Sequence, residues 1–164
     1  MELDILAGEI RKLNGSIQKL DGPLRDQGPR RPGWTNLTSI TGIGAVGASI
    51  LLSTIGTIAD FPSEGKLAAY FGIGPQVHES NATGRSGRIT KRGAKLGRTA
   101  LVQCALIAAR YSPYLQAFYR RPAATRGTGK PIIALASKFL GIIYNTLKPN
   151  WIFAAFPRFV LANG

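Results

Sequence analysis

The sequence is nearly free of the side chains that disulfides and metal centres require. It holds one cysteine, Cys104, and one histidine, His78, in 164 residues. A single cysteine cannot form an intramolecular disulfide, and one histidine with one cysteine cannot complete a His/Cys zinc site. Cys104 lies in the apolar run Leu101–Ala109 and reads as a small buried hydrophobe. Long hydrophobic runs are missing too. The stretches around Ile50 and Ile142 are interrupted by Ser, Thr, Lys or Asn. None approaches the ~20 apolar residues of a membrane span. Met1 is followed by Glu2 and Asp4 rather than by a basic leader region. The chain is therefore expected in the cytoplasm, nucleoid-associated, with no membrane partner.

The most informative absence is of acid. Residues 1–79 carry seven basic and eight acidic side chains, whereas residues 80–164 carry fourteen basic and no acidic ones. The net charge of +13 thus belongs to one half of the chain. Solubility alone would intermix the signs. A cationic half beside a neutral one is the pattern of a protein that meets a polyanion.

What is present is helical patterning. Apolar residues make up 45% of the sequence, enough for a core. Leu3, Leu6, Ile10, Leu13, Ile17 and Leu20 recur at spacings of 3, 4, 3, 4 and 3, a heptad seam. Residues 1–20 read as a coiled-coil-like arm, either folded back on its own domain or paired with a second copy as a homo-oligomer. Pro23, Pro29 and Pro32 mark residues 21–33 as a linker or hinge. A compact domain is expected over 34–149, with helices over Thr35–Ile40, Ala45–Ile55, Glu64–Phe71, Ile89–Arg110, Pro113–Arg121 and Ile132–Leu147. Ser63 and Ser112 are their capping residues where a cap is legible. Residues 122–130 read as a basic loop. The tail 150–164 is unusually aromatic, with Trp151, Phe153, Phe156 and Phe159. No strand alternation is visible, so the expected class is all-α.

Three segments carry chemistry. Leu37–Ala48 has the form of a helix-hairpin-helix: Gly42 and Gly44 free the turn between two helices, Ile43 plugs it, and Ala48 permits close packing. Amides at the start of the second helix can hold a phosphate without reading sequence. The alternative is a glycine turn used for packing alone. Next, Arg85, Arg88, Lys91, Arg92, Lys95 and Arg98 follow one another with no acid between. On one helix, Arg88, Lys91, Lys95 and Arg98 form a stripe about 15 Å long. Finally, Ser80 stands beside this arginine cluster, where a hydroxyl could attack a phosphodiester and the cations would stabilise the transition state.

Taken in order, several pieces resemble one family. They are Ile40-Thr-Gly-Ile-Gly44, Phe61-Pro-Ser63, Leu67-Ala-Ala-Tyr-Phe-Gly-Ile-Gly-Pro75, Gly87-Arg-Ile-Thr-Lys-Arg-Gly93, Phe118-Tyr-Arg-Arg121 and Gly129-Lys-Pro131. Over about Leu37–Leu147 the chain resembles the C-terminal domain of the bridge-RNA-guided, serine-dependent insertion-sequence transposases, the IS-one-ten/IS-one-sixteen family. The resemblance implies a DNA partner, a structured guide RNA, and a preceding RuvC-like domain that holds Mg2+ through carboxylates. It implies that residues 1–20 end a coiled coil and that Ser80 becomes joined to DNA. Asn81 follows Ser80 where the family has glycine, which keeps Ser86, followed by Gly87, as a rival. The resemblance also leaves these 164 residues without the RuvC-like part. No metal ligands and no resident cofactor are expected in them, and alone they should bind DNA without recombining it. The competing readings are a non-enzymatic helix-hairpin-helix module for DNA or RNA, and a coiled-coil oligomerisation factor.

Overall fold

The computed structural model describes residues 1–73, 94–126 and 129–159; the side chains of 121–126 and 129–130 are not described. Among the described residues the fold is all-α. Its helices are α1 (Glu2–Gln27), α2 (Trp34–Thr38), α3 (Ala45–Ile55), α4 (Glu64–Phe71), α5 (Lys95–Tyr111), α6 (Pro113–Arg126) and α7 (Gly129–Leu147). Short 3-10 turns stand at Gly28–Arg30, Ile58–Asp60 and Phe156–Arg158.

The helix ends follow their caps. The Ser63 hydroxyl accepts the Lys66 amide at 3.4 Å, and Gly72 closes α4 in the left-handed conformation. The buried Ser112 accepts the Leu115 amide at 3.4 Å, and Pro113 opens α6. At the end of α7, Asn150 takes φ +60° and the Trp151 amide reaches back to the Thr146 carbonyl at 2.8 Å. This is a Schellman closure with asparagine in glycine's place.

Three expectations are corrected. The hinge over 21–33 begins later than its prolines predict, because α1 continues through Pro23 to Gln27. The residue before Pro23 is Gly22, which has no Cβ to clash with the proline ring, so the helical conformation stays open to it. Pro122 likewise lies inside α6, so the loop after it is shorter than 122–130. The helix expected from Ile89 instead starts at Lys95, with Ala94 extended at its N-cap. Residues 74–93 are not described.

Helix α5 lies at the centre, against α3, α4, α6 and α7. Its inward face is small: Gly97, Leu101, Cys104, Ala105 and Ala108. Small side chains let neighbouring helices come close. A Cβ on Gly47 would lie 2.8 Å from the Cys104 Sγ, and one on Gly97 would lie 2.5 Å from the Thr54 side chain. Residue 47 therefore faces 104 and residue 54 faces 97, so α3 and α5 run antiparallel. On the other flank, Phe139, Leu140 and Ile143 of α7 complete the core with Phe71 and Leu115, all fully buried. Each such side chain contributes roughly 1.5–3 kcal/mol by burial.

The aromatic tail folds onto its own domain. Buried Asn36 donates to the Asn150 side chain at 3.0 Å and to the Trp151 carbonyl at 2.5 Å. The Phe153 amide donates to Ser39 Oγ at 3.0 Å. Phe156 is buried, and Phe153, Phe156 and Phe159 pack edge to face or tilted with ring centres 4.7–5.7 Å apart. By contrast, no residue of α1 is buried, and its heptad side chains from Leu3 to Leu20 are each more than half exposed.

The α3–α5 crossing yields a stability prediction. Gly97→Ala drives a methyl into Thr54 and should destabilise the domain by about 1–3 kcal/mol in urea unfolding. Thr54→Ala in the same chain should recover part of that loss, because the two side chains compete for one space.

Candidate nucleic-acid interface

The Gly42-Ile43-Gly44 turn joins α2 to α3, and its two glycines differ. Gly42 has φ +107°, and a Cβ there would stand 2.7 Å from the Ala108 amide nitrogen. The fold itself demands glycine at this position. Ile43 is buried. Gly44 is exposed, has an ordinary negative φ, and would meet nothing within 4 Å of an added Cβ. Neither strain nor packing accounts for it. Its bareness leaves the N-terminus of α3 open. That terminus has no side-chain cap and no acid in its first turn, so its first amides face outward without an intrahelical partner.

The second locus is the corner between α4 and α5. Ile73 is buried and its amide bonds the Ala68 carbonyl at 3.0 Å, which fixes the departure of the chain after Gly72. On the returning side, Arg98 Nη1 donates to the Phe71 carbonyl at 3.2 Å. The described residues on either side of 74–93 therefore meet at one corner, where Arg98 is bonded to Phe71. Ser80, Ser86, Arg85, Arg88, Lys91 and Arg92 all fall in that span, outside the described residues. Lys95 and Arg98 are described. They sit in the first turn of α5, where no acid accompanies them. Cations at the positive end of a helix dipole are unfavourable unless an anion offsets them.

The two loci are not one surface. Gly42 packs at Ala108 and Cys104, near the far end of α5, about 20 Å from Lys95 at the rise of an α-helix. Because α3 and α5 are antiparallel, their N-termini face opposite ends of the pair. Of the four-residue stripe, Arg88 and Lys91 lie outside the described residues, while Lys95 and Arg98 open α5 behind an extended Ala94. Arg98 is half-buried and anchored inward, leaving Lys95 as the exposed cation of that turn. Arg31, which the sequence did not single out, stays exposed and donates to Ser53 Oγ at 2.9 Å.

Cys104 is buried, and desolvation pushes its thiol up to about 11, so it is not a nucleophile near neutrality. Among the described residues no three acidic, histidine or cysteine side chains gather into a metal-binding group. No described helix is long and apolar enough to cross a membrane.

The fold is thus a helical domain that clamps the ends of a cationic, serine-bearing segment at one corner and leaves a helix N-terminus open at the opposite end of the α3–α5 pair. Residues 35–120, more than half of the chain and running from α2 into α6, match the family described as Transposase IS116/IS110/IS902 family. The chain belongs to this transposase family. It is 29% identical over 155 residues to a protein of Pseudomonas aeruginosa named Probable family 20 transposase, covering 89% of this chain and 42% of that one. It is 36% identical over 118 residues to the Pilin gene-inverting protein of Moraxella bovis, covering 70% and 36%. An insertion element IS110 protein of Streptomyces coelicolor is 26% identical over 113 residues, covering 68% and 28%. The chain spans less than half the length of these relatives.

Two predictions follow the geometry. Gly42→Ala should destabilise the fold by at least about 2 kcal/mol, whereas Gly44→Ala should leave the unfolding midpoint nearly unchanged. Equal losses in urea unfolding would contradict this contrast. The second concerns Cys104. Below pH 9.0 the thiol is protonated in both folded and unfolded chains; from there to about 11 only the unfolded chain ionises. The stability advantage of wild type over Cys104→Ala should therefore shrink as pH rises through that window, by up to about 1.4 kcal/mol per unit.

Proposed function

We propose that this chain is the DNA-binding C-terminal part of an insertion-sequence transposase and that it supplies the serine that captures DNA. What carries the reading is the family match running continuously across residues 35–120, through the clamped corner that holds both ends of the serine-bearing segment. The acid-free charge of residues 80–164 supports a phosphate-rich partner. The Moraxella relative, by its name, inverts a gene, and such an inversion also requires strand exchange.

In this reading Ser80 is the nucleophile, with Ser86 the rival. The hydroxyl oxygen attacks the phosphorus, the bond from phosphorus to the leaving deoxyribose oxygen breaks, and the serine proton ends on that oxygen. Arg85, Arg88, Lys91, Arg92 and Lys95 hold the phosphates, and Arg98 steadies the corner. The Gly42–Gly44 turn grips a second backbone position as a helix-hairpin-helix, about 20 Å away. Mg2+ chemistry belongs to a RuvC-like domain outside these residues. A structured guide RNA selects the site, and the exposed seam of α1 pairs with a second copy as a coiled coil.

The test has two arms. The chain should bind duplex DNA with a steep salt dependence, and Lys95→Gln should flatten the log–log slope by about 0.9. Salt-independent binding would exclude the electrostatic grip. In a transposase carrying these residues together with a RuvC-like domain, Ser80→Ala should abolish the covalent protein–DNA adduct while Ser86→Ala preserves it. The opposite pattern would transfer the role to Ser86.

A further inference from the structure

A cavity of about 500 Å³ lies between the start of α4, the α6–α7 pair and the folded-back tail. It is on a different face from either locus above, since neither the Gly42 turn nor the start of α5 lines it. Four of its twelve lining residues are aromatic, among them Phe118, Trp151 and Phe153. Two of its polar side chains, Glu64 and Asn145, bond each other. The Glu64 carboxylate accepts the Asn145 amide at 3.3 Å, and the same amide nitrogen donates to the Gly141 carbonyl at 2.9 Å. Both hydrogens of that nitrogen are thereby used, which leaves Asn145 offering its oxygen. Glu64 lies against the α7 backbone because residue 141 is glycine: a Cβ there would sit 2.8 Å from Oε2. Both residues line the cavity, so they supply it with two acceptors, Glu64 Oε1 and Asn145 Oδ1. Lys138 also lines it, with its ammonium 6.0 Å from the Tyr114 ring centre.

We propose that this cavity receives one unstacked guanine from a single-stranded nucleic acid. The inference rests on the nucleic-acid reading above. A planar base fits a cavity of this size between aromatic rings, and base-on-aromatic stacking is how single strands are held. Two acceptors on hydrogen-bonded neighbours match the N1–H and N2–H donors of guanine. Thymine and uracil offer a single donor between two carbonyls. An arginine side chain from a protein partner would also satisfy two acceptors, but Lys138 at the same cavity would repel it. The same ammonium attracts the phosphate that accompanies a nucleotide. The carboxylate also explains itself: Glu64 has no lysine or arginine partner among the described residues of a strongly basic chain.

Trp151 makes the experiment direct, because the other tryptophan, Trp34, is buried in the core while Trp151 is exposed. Oligothymidine and oligouridine, each with and without one central guanine, are titrated against the full chain. The expected result is quenching of Trp151 emission and about tenfold tighter binding only for the guanine-bearing strands. Tighter binding of the RNA strand assigns the base to a guide RNA, and of the DNA strand to the target. Glu64→Gln should remove the guanine preference while leaving affinity and salt slope for the guanine-free strands intact. Gly141→Ala, which displaces the carboxylate without removing it, should do the same. Equal binding of all strands with unchanged emission overturns the inference and leaves the nucleic-acid reading standing. Binding of none of the strands or of duplex DNA overturns both. Quenching by an arginine-bearing peptide but not by guanine overturns it in favour of a protein partner.

Discussion

The close antiparallel crossing of α3 and α5 is the contact on which the domain turns. Glycine stands at both ends of it: Gly47 lets Cys104 approach, and Gly97 accommodates Thr54. A third glycine, Gly42, brings the α2–α3 turn onto the backbone of α5 at Ala108. Dispersion falls steeply with separation, so helices this close gain contact along their whole length, and the small inward face of α5 makes that approach available. The remaining helices pack around the pair, with α7 bridging α5, α6, α4 and α2. The crossing also orients charge. Antiparallel helices put their positive ends at opposite extremes, so the open start of α3 and the cationic start of α5 cannot converge on one phosphate. A nucleic acid that touched both would have to lie along the pair.

The aromatic tail is the second constraint. Asn36 of the five-residue α2 and Ser39 at its C-cap hold the chain after α7 through side-chain bonds, and Phe156 closes the core beneath it. A buried asparagine is costly unless satisfied, and here its amide is satisfied by the tail. Folding the tail back creates the cavity bounded by Trp151 and Phe153. A terminus that looked like an appendage in the sequence is therefore a wall.

Local signals were readable where they rest on the chemistry of a few adjacent residues. Ser63 with Gly72, and Ser112 with Pro113, delimit helices because the caps act within one turn. Proline misled at Pro23, because its cost is a few kcal/mol and not a prohibition, and Gly22 lowers it further. The start of α5 was illegible for a different reason: spacing cannot say where a helix begins, and Ala94 is extended. Arg98 appeared in the sequence as a surface cation, while in the fold it serves the Phe71 carbonyl. The glycines of the hairpin looked equivalent, yet only Gly42 is demanded by the fold.

The all-α class, the positions of most helices, the one-sided charge and the resemblance to the transposase family could all be read from the chain, because each depends on composition, short spacing or motif order. The separation of the two candidate grips, the inward turn of Arg98, the docking of the tail and the meeting of Glu64 with Asn145 could not. These depend on which helix lies against which. Residues 64 and 145 are far apart in the chain and are brought to 3.3 Å by the packing of α4 on α7. Glycine at 141 makes room for the carboxylate there. Local chemistry fixed the elements, and long-range packing chose the company each side chain keeps.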